Sequence, residues 1–352
     1  MNLNFASDNT GPAHPKVMEA VLRANDHAAM PYGNDPVTEA AVAAVRAAFE
    51  APEAEVAFVA TGTAANALAL SCLVRPFESV FCSRVAHIEE DECAAPEFYM
   101  GGAKLTLVDE TDGKIDPDDF AAKLSAAMDR GVHGAQPAAL SLTQITERGA
   151  VYSLNEIATL TGLARDAGLA THLDGARFAN ACAALGCSPA EMTWKAGIDA
   201  VGFGGTKNGC LGVEAVVMFE PPRGRELALR RKRGGHLWSK QRYLSAQMLA
   251  YVQDGLWLEM ARSANAASAR LAEGLRSLRG ARILHEAAGN LIFAELPRAA
   301  HARAFAAGAS YYLFPGDTPL DGDPETAVRC RLVCDWSKSD SEVDALIASW
   351  AG

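Results

Sequence analysis

The sequence predicts an α/β fold, with a large domain holding a mainly parallel, seven-stranded sheet between helices and a smaller C-terminal α+β domain. Three observations carry this expectation. Between residues 50 and 220, short β-branched runs alternate with Ala-rich segments of helical period, as repeated βαβ units do. The chain has 352 residues, 49% of them hydrophobic, enough to bury one large core and a smaller one. Beyond a basic stretch at 223–242 the alternation resumes on a smaller scale.

Taken in order, residues 56–60, 80–83, 105–108, 139–143, 170–174 and 200–203 read as strands separated by helical segments. A seventh strand, 214–219, follows through the glycine-rich turn 209–212. It lies too close in sequence for a helical crossover, so it is expected to be antiparallel to its predecessor. After Pro221-Pro222, residues 223–242 carry eight Arg or Lys side chains, and a helical pattern interrupted at Gly255 runs from about 240 to 278. Strands at 291–296, 310–314 and 328–333, with helices at 299–307 and 341–350, complete the smaller domain. The domain reading is an N-terminal arm over 1–20, a large domain over 21–245, and a connecting helix with the small domain over 246–352.

Composition excludes several classes. A net charge of −11 disfavours general attraction to nucleic acid or anionic membranes. Apolar stretches such as 213–219 and 68–74 fall far short of the roughly 20 residues a membrane span needs. The start Met1-Asn2-Leu3-Asn4-Phe5 shows neither a secretory nor a transit pattern, so a soluble cytoplasmic protein is expected. Eight cysteines without a C-x-x-C pair read as reduced, mostly buried thiols rather than a zinc ribbon or a disulfide framework, and no metal ligand spacing stands out.

Three segments carry chemistry. Thr61-Gly62-Thr63-Ala64-Ala65-Asn66 lies between a strand and a helix, where backbone N–H groups and a hydroxyl suit a phosphate; an ordinary strand-to-helix turn is the competing reading. Thr171-His172-Leu173-Asp174-Gly175-Ala176-Arg177 puts an acid at the carboxyl end of a central strand, where ligands of open sheets gather, although Asp174 is also placed to cap a helix. Arg177 adds a fixed cation for a carboxylate or phosphate. In Gly202-Phe203-Gly204-Gly205-Thr206-Lys207-Asn208-Gly209 a lysine sits among glycines that let the backbone approach a planar cofactor. Sheltered from water, such an amine attacks an aldehyde; a solvated loop residue or a phosphate clamp is the alternative. Together, the amine, the acid and the phosphate cup are what a pyridoxal-5'-phosphate (PLP) site needs. No G-x-G-x-x-G opens a first βαβ unit, which argues against a dinucleotide fold.

These residues, with Phe5-Ala6-Ser7-Asp8-Asn9, Tyr32-Gly33-Asn34-Asp35, the run from Ala86-His87 to Pro96-Glu97, and Asp174 to Asn180, make the chain resemble, nearly end to end, the low-specificity L-threonine aldolases of the fold type I PLP enzymes. The resemblance implies that Lys207 forms the Schiff base with PLP, Asp174 partners the pyridine nitrogen, and Gly62 with Thr63 cups the phosphate. It implies that His87 stacks on the pyridine ring, that Arg177 contacts cofactor or substrate, and that Ser7, Arg177 and Arg331 hold the substrate α-carboxylate. Tyr32 would reach a neighbouring subunit's site in a homodimer or homotetramer with shared active sites. Where some members carry a second histidine in a Glu-Asn-Thr-His segment, this chain has Leu142-Thr143-Gln144-Ile145-Thr146-Glu147, so Thr146 takes that place beside the substrate.

The implied reaction is retro-aldol cleavage of L-threonine, L-allo-threonine and related β-hydroxy-α-amino acids to glycine and an aldehyde. His87 is the candidate base. A phenylserine-type aldolase, or another PLP lyase, transaminase or racemase on the same fold, is the runner-up; a non-catalytic PLP-fold binding protein is a further alternative. The cluster Arg230-Arg231-Lys232-Arg233 with Lys240 reads first as a solvated helix face, and next as a phosphate or interface contact across subunits, with Lys240 the candidate.

Overall fold

The computed structural model describes residues 2–220 and 223–351; Met1, the Pro221-Pro222 pair and Gly352 lie outside the described residues. In chain order the strands are β1 (Glu55–Val59), β2 (Glu78–Ser83), β3 (Lys104–Val108), the short hairpin β4 (Glu110–Thr111) and β5 (Lys114–Ile115), β6 (Gln136–Thr143), β7 (Ala170–Gly175), β8 (Ala200–Gly204), β9 (Glu214–Met218), β10 (Arg282–Ile283), β11 (Leu291–Pro297), β12 (Tyr312–Phe314) and β13 (Ala327–Val333).

Seven of these form one sheet in the order β1-β9-β8-β7-β6-β2-β3. Neighbours from β8 to β3 run parallel, while β9 is antiparallel to both β8 and β1, as its short connection requires. The mainly parallel seven-stranded α/β arrangement is therefore the observed one. Side chains alternate between the faces. Phe58, Phe81, Leu173, Val201, Phe203, Ala215 and Val217 enter one core, whereas Val59, Val80, Cys82, Ala200 and Val216 pack under the helix Gly62–Leu73. That helix is apolar all round because it is buried, and Leu68 and Leu70 are fully enclosed. With period 2, His172 and Asp174 point to the face opposite Leu173, toward the same helix. Fully burying a side chain such as Phe203 contributes about 1.5–3 kcal/mol.

The smaller sheet has the antiparallel order β10-β11-β13-β12. The helix Leu256–Ser277 joins the two units, giving Leu256, Trp257, Met260 and Ala261 to the large core and Ala267, Leu271, Ala272 and Leu275 to the small one. The long helical pattern is in fact two helices, Arg242–Val252 and Leu256–Ser277. Asp254 (φ 55°) and Gly255 (φ 73°) adopt left-handed backbone that a helix cannot continue through. The start of the chain is tied to the small sheet: Phe5 is fully buried, its N–H donates to Ser310 O at 2.7 Å, and Val333 N–H donates to Phe5 O at 2.9 Å. A helix, Pro15–Arg23, runs across the boundary expected at residue 20. The two-residue strands β4, β5 and β10 are too short to leave a period in the sequence.

Candidate active site

The carboxyl ends of the parallel strands open on a cavity of about 270 Å³ lined by Asn9, Ala60, Thr61, Gly62, Thr63, Asn66, His87, Glu92, Asp174, Ala176, Thr206, Lys207 and Glu214. Five of the sequence-predicted residues, Gly62, Thr63, His87, Asp174 and Lys207, thus line one cavity.

Lys207 sits in the 3-10 turn Thr206–Asn208 directly after β8. Tyr251 holds this turn, donating to Gly204 O at 2.9 Å and accepting from Asn208 Nδ2 at 2.9 Å. Burial, and after it the charge of Arg177, lowers the amine below the usual lysine range against the pull of Asp8, Asp174 and Glu214. The glycines here serve backbone packing: a Cβ on Gly204 would stand 2.6 Å from Ala176 O, and one on Gly205 2.7 Å from Val213 O. A Cβ on Gly62 would meet nothing within 4 Å, so the approach to the cavity is open at that glycine.

The Gly62–Leu73 helix starts at the cavity wall, with the Thr61 hydroxyl accepting from Ala64 N–H at 3.2 Å. The N–H groups of Gly62 and Thr63 at this helix start have no intrahelical acceptor, an arrangement that suits an anion. At the far wall Asp174 is buried and accepts from Asn66 Nδ2 at 2.8 Å and from Ala176 N–H at 2.9 Å. Burial alone would raise its pKa, but His87, Lys207 and these two donors outweigh it, and the carboxyl is held below the usual range. Beneath it His172 Nδ1 lies 2.9 Å from Ser141 Oγ, and burial keeps its ring neutral.

His87 begins the short helix His87–Glu90, donating its backbone N–H to Glu147 Oε1 at 2.9 Å, and its Nδ1 lies 2.8 Å from Glu92 Oε1. The hydrogen bond to Glu92 raises the histidine's pKa against burial, with Asp174 adding to it. Ligand atoms of His87, Glu92 and Asp174 lie within 4.8 Å of one another. The Asn66 amide nitrogen stands 2.8 Å from a carboxylate oxygen of each acid, so its two N–H groups bridge Glu92 and Asp174.

Arg177 and Arg331 meet at the N-terminal arm. Arg177 binds Asp8 through Nε at 2.7 Å and Nη2 at 3.1 Å, and Arg331 Nη2 donates to Ala6 O at 3.2 Å with its guanidinium 4.9 Å from the Tyr312 ring centre. Ser7 stands between the two gripped residues, and its Oγ accepts from Asn9 N–H at 3.2 Å. Thr146 is buried away from the cavity, its hydroxyl donating to Asp112 O at 2.7 Å and accepting from Ala150 N–H at 3.0 Å. Tyr32 (φ 59°) and Lys240 are exposed and outside the cavity lining; Tyr32 N–H donates to Ser239 O at 2.9 Å, and Lys232 Nζ lies 4.6 Å over the Tyr32 ring. Arg230 to Arg233 form the last turn of the helix Gly224–Arg233, where cations favour the helix dipole.

Sequence reasoning assigned no role to Asp8, Asn66, Glu92 or Glu214. All four are buried polar groups, and their partners lie far along the chain or across a strand pair. The first three stood inside segments already quoted as motifs, which was the available signal.

A family model described as beta-eliminating lyase matches residues 4–297. A low specificity L-threonine aldolase from a Pseudomonas species is 38% identical over 98% of this chain and 96% of that protein, and one from Pseudomonas aeruginosa is 38% identical over 97% and 95%. The solved threonine aldolase of Leishmania major superposes with a TM-score of 0.89 at 25% identity, covering 99% of this chain and 98% of that one.

Proposed function

The chain belongs to the beta-eliminating lyase family and, within it, to the low-specificity L-threonine aldolases, and from that premise we propose that it cleaves L-threonine, L-allo-threonine and related β-hydroxy-α-amino acids to glycine and an aldehyde with PLP as cofactor. One observation carries the reading: Lys207, Asp174, His87 and the Gly62–Thr63 helix start line a single cavity at the carboxyl end of the sheet.

The residues present fit PLP. A lysine with a lowered pKa offers an amine to an aldehyde, an ionised buried carboxyl suits a protonated pyridine nitrogen, and the open backbone at Gly62 suits a phosphate. Lys207 would hold the aldehyde carbon, Asp174 the ring nitrogen, and Gly62 with Thr63 the phosphate. When bound, PLP supplies a sink for the electrons of the breaking Cα–Cβ bond. Arg177, already steadied by Asp8, and Arg331 would bind the α-carboxylate with Ser7, and His87 would accept the proton of the β-hydroxyl. Exposed Tyr32 and Lys240, beside exposed Met30 and Trp238, support a homodimer or homotetramer in which they serve a second copy's site. Among the described residues no helix is long and apolar enough to cross a membrane, and free, mostly buried cysteines support a cytoplasmic location.

The test is to give the purified, PLP-loaded protein threonine, allo-threonine, phenylserine and serine, and to assay glycine, aldehyde, pyruvate and keto acid separately. Glycine and acetaldehyde in equal amounts from threonine are expected; keto acid without glycine would overturn the reading. Lys207→Ala should lose the borohydride-trappable visible absorbance of the loaded protein.

A further inference from the structure

Glu92 is a buried carboxylate that the reading above does not use. Its side chain is fully enclosed, and its Oε1 accepts from two groups, lying 2.8 Å from His87 Nδ1 and 2.8 Å from Asn66 Nδ2. An ionised carboxylate has no proton to give, so the hydrogen of the first contact sits on Nδ1. A neutral imidazole carries one ring hydrogen, and Nε2 is then left with a bare lone pair. The ring is anchored at its root as well, because the His87 backbone N–H is held by Glu147. Asn66 sends its second N–H to Asp174 Oδ2 at 2.8 Å. Turned over, the amide would set its oxygen against two carboxylate oxygens, so the network fixes its orientation.

We propose that Glu92 is the positioning residue for His87, locking the imidazole as the Nδ1–H tautomer with Nε2 open to the cavity, while Asn66 ties this pair to Asp174. One buried network then orients two of the cavity's titratable groups. The proposal deepens the aldolase reading and rests on it for what Nε2 does. There Nε2 takes the β-hydroxyl proton as the carbonyl forms and the Cα–Cβ bond breaks, and a proton is added to the α-carbon to give glycine. Glu92 stabilises the imidazolium that forms in between, as a carboxylate behind a catalytic histidine does. The titratable groups facing His87 are Glu92 from its own segment, Glu147 from the loop after β6, whose carboxyl burial pushes up to about 7, Asp174 from β7 and Lys207 from the turn after β8.

The test is Glu92→Gln in the PLP-loaded protein, read by nitrogen-15 NMR of the histidine rings, with His87 assigned from a His87→Asn variant. The carboxamide oxygen accepts from Nδ1–H, or, turned over, its NH2 donates to a bare Nδ1, so it no longer dictates the tautomer and carries no charge. The expected wild-type state is the Nδ1–H tautomer. In Glu92→Gln the His87 pKa should fall by about one unit or more, the acid limb of kcat should move to lower pH, and kcat should drop on the order of 10²-fold with KM within a few-fold. Glu92→Asp, which keeps the charge, should recover much of the His87 titration. A folded Glu92→Gln variant with unchanged His87 tautomer and titration overturns the proposal. Should that variant fail to fold, a wild-type His87 in the Nε2–H form overturns it equally. The ring titration is read without substrate, so the two readings fail separately. A protein that cleaves no hydroxy amino acid yet titrates as expected loses only the aldolase reading, and an active aldolase with an unmoved titration loses only this one.

Discussion

Replacing Asp8 with Asn keeps the shape of the side chain and removes its charge. Asp8 is fully enclosed and Arg177 is 13% exposed at the side chain. Oδ2 accepts from Arg177 Nε at 2.7 Å and from Asn290 Nδ2 at 3.2 Å, and Oδ1 accepts from Nη2 at 3.1 Å. An Asn offers a single oxygen, so its NH2 must face the guanidinium either at Nη2 or at Nε, where Asn290 Nδ2 also points, donor against donor. Losing one charge-assisted bond costs about 1.5–3 kcal/mol, and leaving one member of a buried pair uncompensated costs about 3–5 kcal/mol. Water reaching the small exposed part of Arg177 screens it and puts the expected loss near the lower end, about 3 kcal/mol. Burial raises the Asp8 pKa, but Arg177, Lys207 and the hydrogen bonds outweigh it, so the carboxyl is held below the ordinary range. Its contribution is therefore complete above the unfolded-state pKa of about 3.9 and is lost as pH falls through the lower folded value. Wild type should show this loss below about pH 4, and Asp8→Asn should start lower with a flatter acid limb. Urea unfolding of the PLP-loaded protein across this range, followed by both circular dichroism and tryptophan fluorescence, measures it. A variant within about 0.5 kcal/mol of wild type at neutral pH, or with the same acid limb, would refute the reasoning.

Glu214 titrates the other way. Burial pushes its carboxyl up to about 7, against Thr206, Lys207 and the Gly205 N–H. Between the ordinary value of 4.5 and about 7 the unfolded chain releases a proton that the native state keeps, so stability falls as pH rises through that window. At about 1.36 kcal/mol per unit the slope amounts to roughly 3 kcal/mol. Glu214→Gln should flatten it in denaturation curves at the two ends of the window, and identical slopes in variant and wild type would count against the assignment. Gly204→Ala puts a methyl 2.6 Å from Ala176 O and 2.8 Å from Gly175 O. It should cost about 1–3 kcal/mol and displace the Lys207 turn, lowering the yield of borohydride-trapped cofactor. Gly62→Ala, with nothing within 4 Å, should leave the melting temperature unchanged. Equal melting temperatures for both alanine variants would contradict this account.

The strands and the cavity were legible in the sequence for the same reason. A parallel sheet buried on both faces writes each strand as a short apolar run, and the candidate active residues stand at the ends of such runs, Asp174 at the end of β7 and Lys207 just past β8. The role of glycine was legible only in part. The spacing around Lys207 suggested room for a flat cofactor, whereas Gly204 and Gly205 admit neighbouring carbonyl oxygens. What the sequence hid were the buried polar partners. Asn66 bridges Glu92 and Asp174 over separations of 26 and 108 residues, and Asn290 reaches Asp8 across 282. No local pattern encodes a contact of that range. Thr146 shows the converse: its alignment with a histidine position placed it beside substrate, but a short hydroxyl at that turn is consumed by Asp112 O and Ala150 N–H.

The two arginines at the N-terminal arm differ in what they have left to offer a substrate. Arg177 is engaged bidentately by Asp8, so its charge is largely balanced before any ligand arrives. A second carboxylate approaching it also meets the field of Asp8. Arg331 has only a neutral carbonyl, Ala6 O, and the face of Tyr312, and among the described residues no carboxylate pairs with it. Burial lowers its pKa, followed by the repulsion of Arg177, which is the signature of a cation short of an anion. For an α-carboxylate bound as proposed, Arg331 would be the guanidinium that gains most, while Arg177 would contribute direction through the donors Asp8 leaves free. Arg331 stands on β13 of the small sheet and Arg177 follows β7 of the large one, so an amino acid held by both as proposed would touch both units. The same N-terminal arm supplies Asp8 to one arginine and Ala6 O to the other. Its docking on the small sheet through Phe5 would therefore support the proposed substrate binding as well as stability.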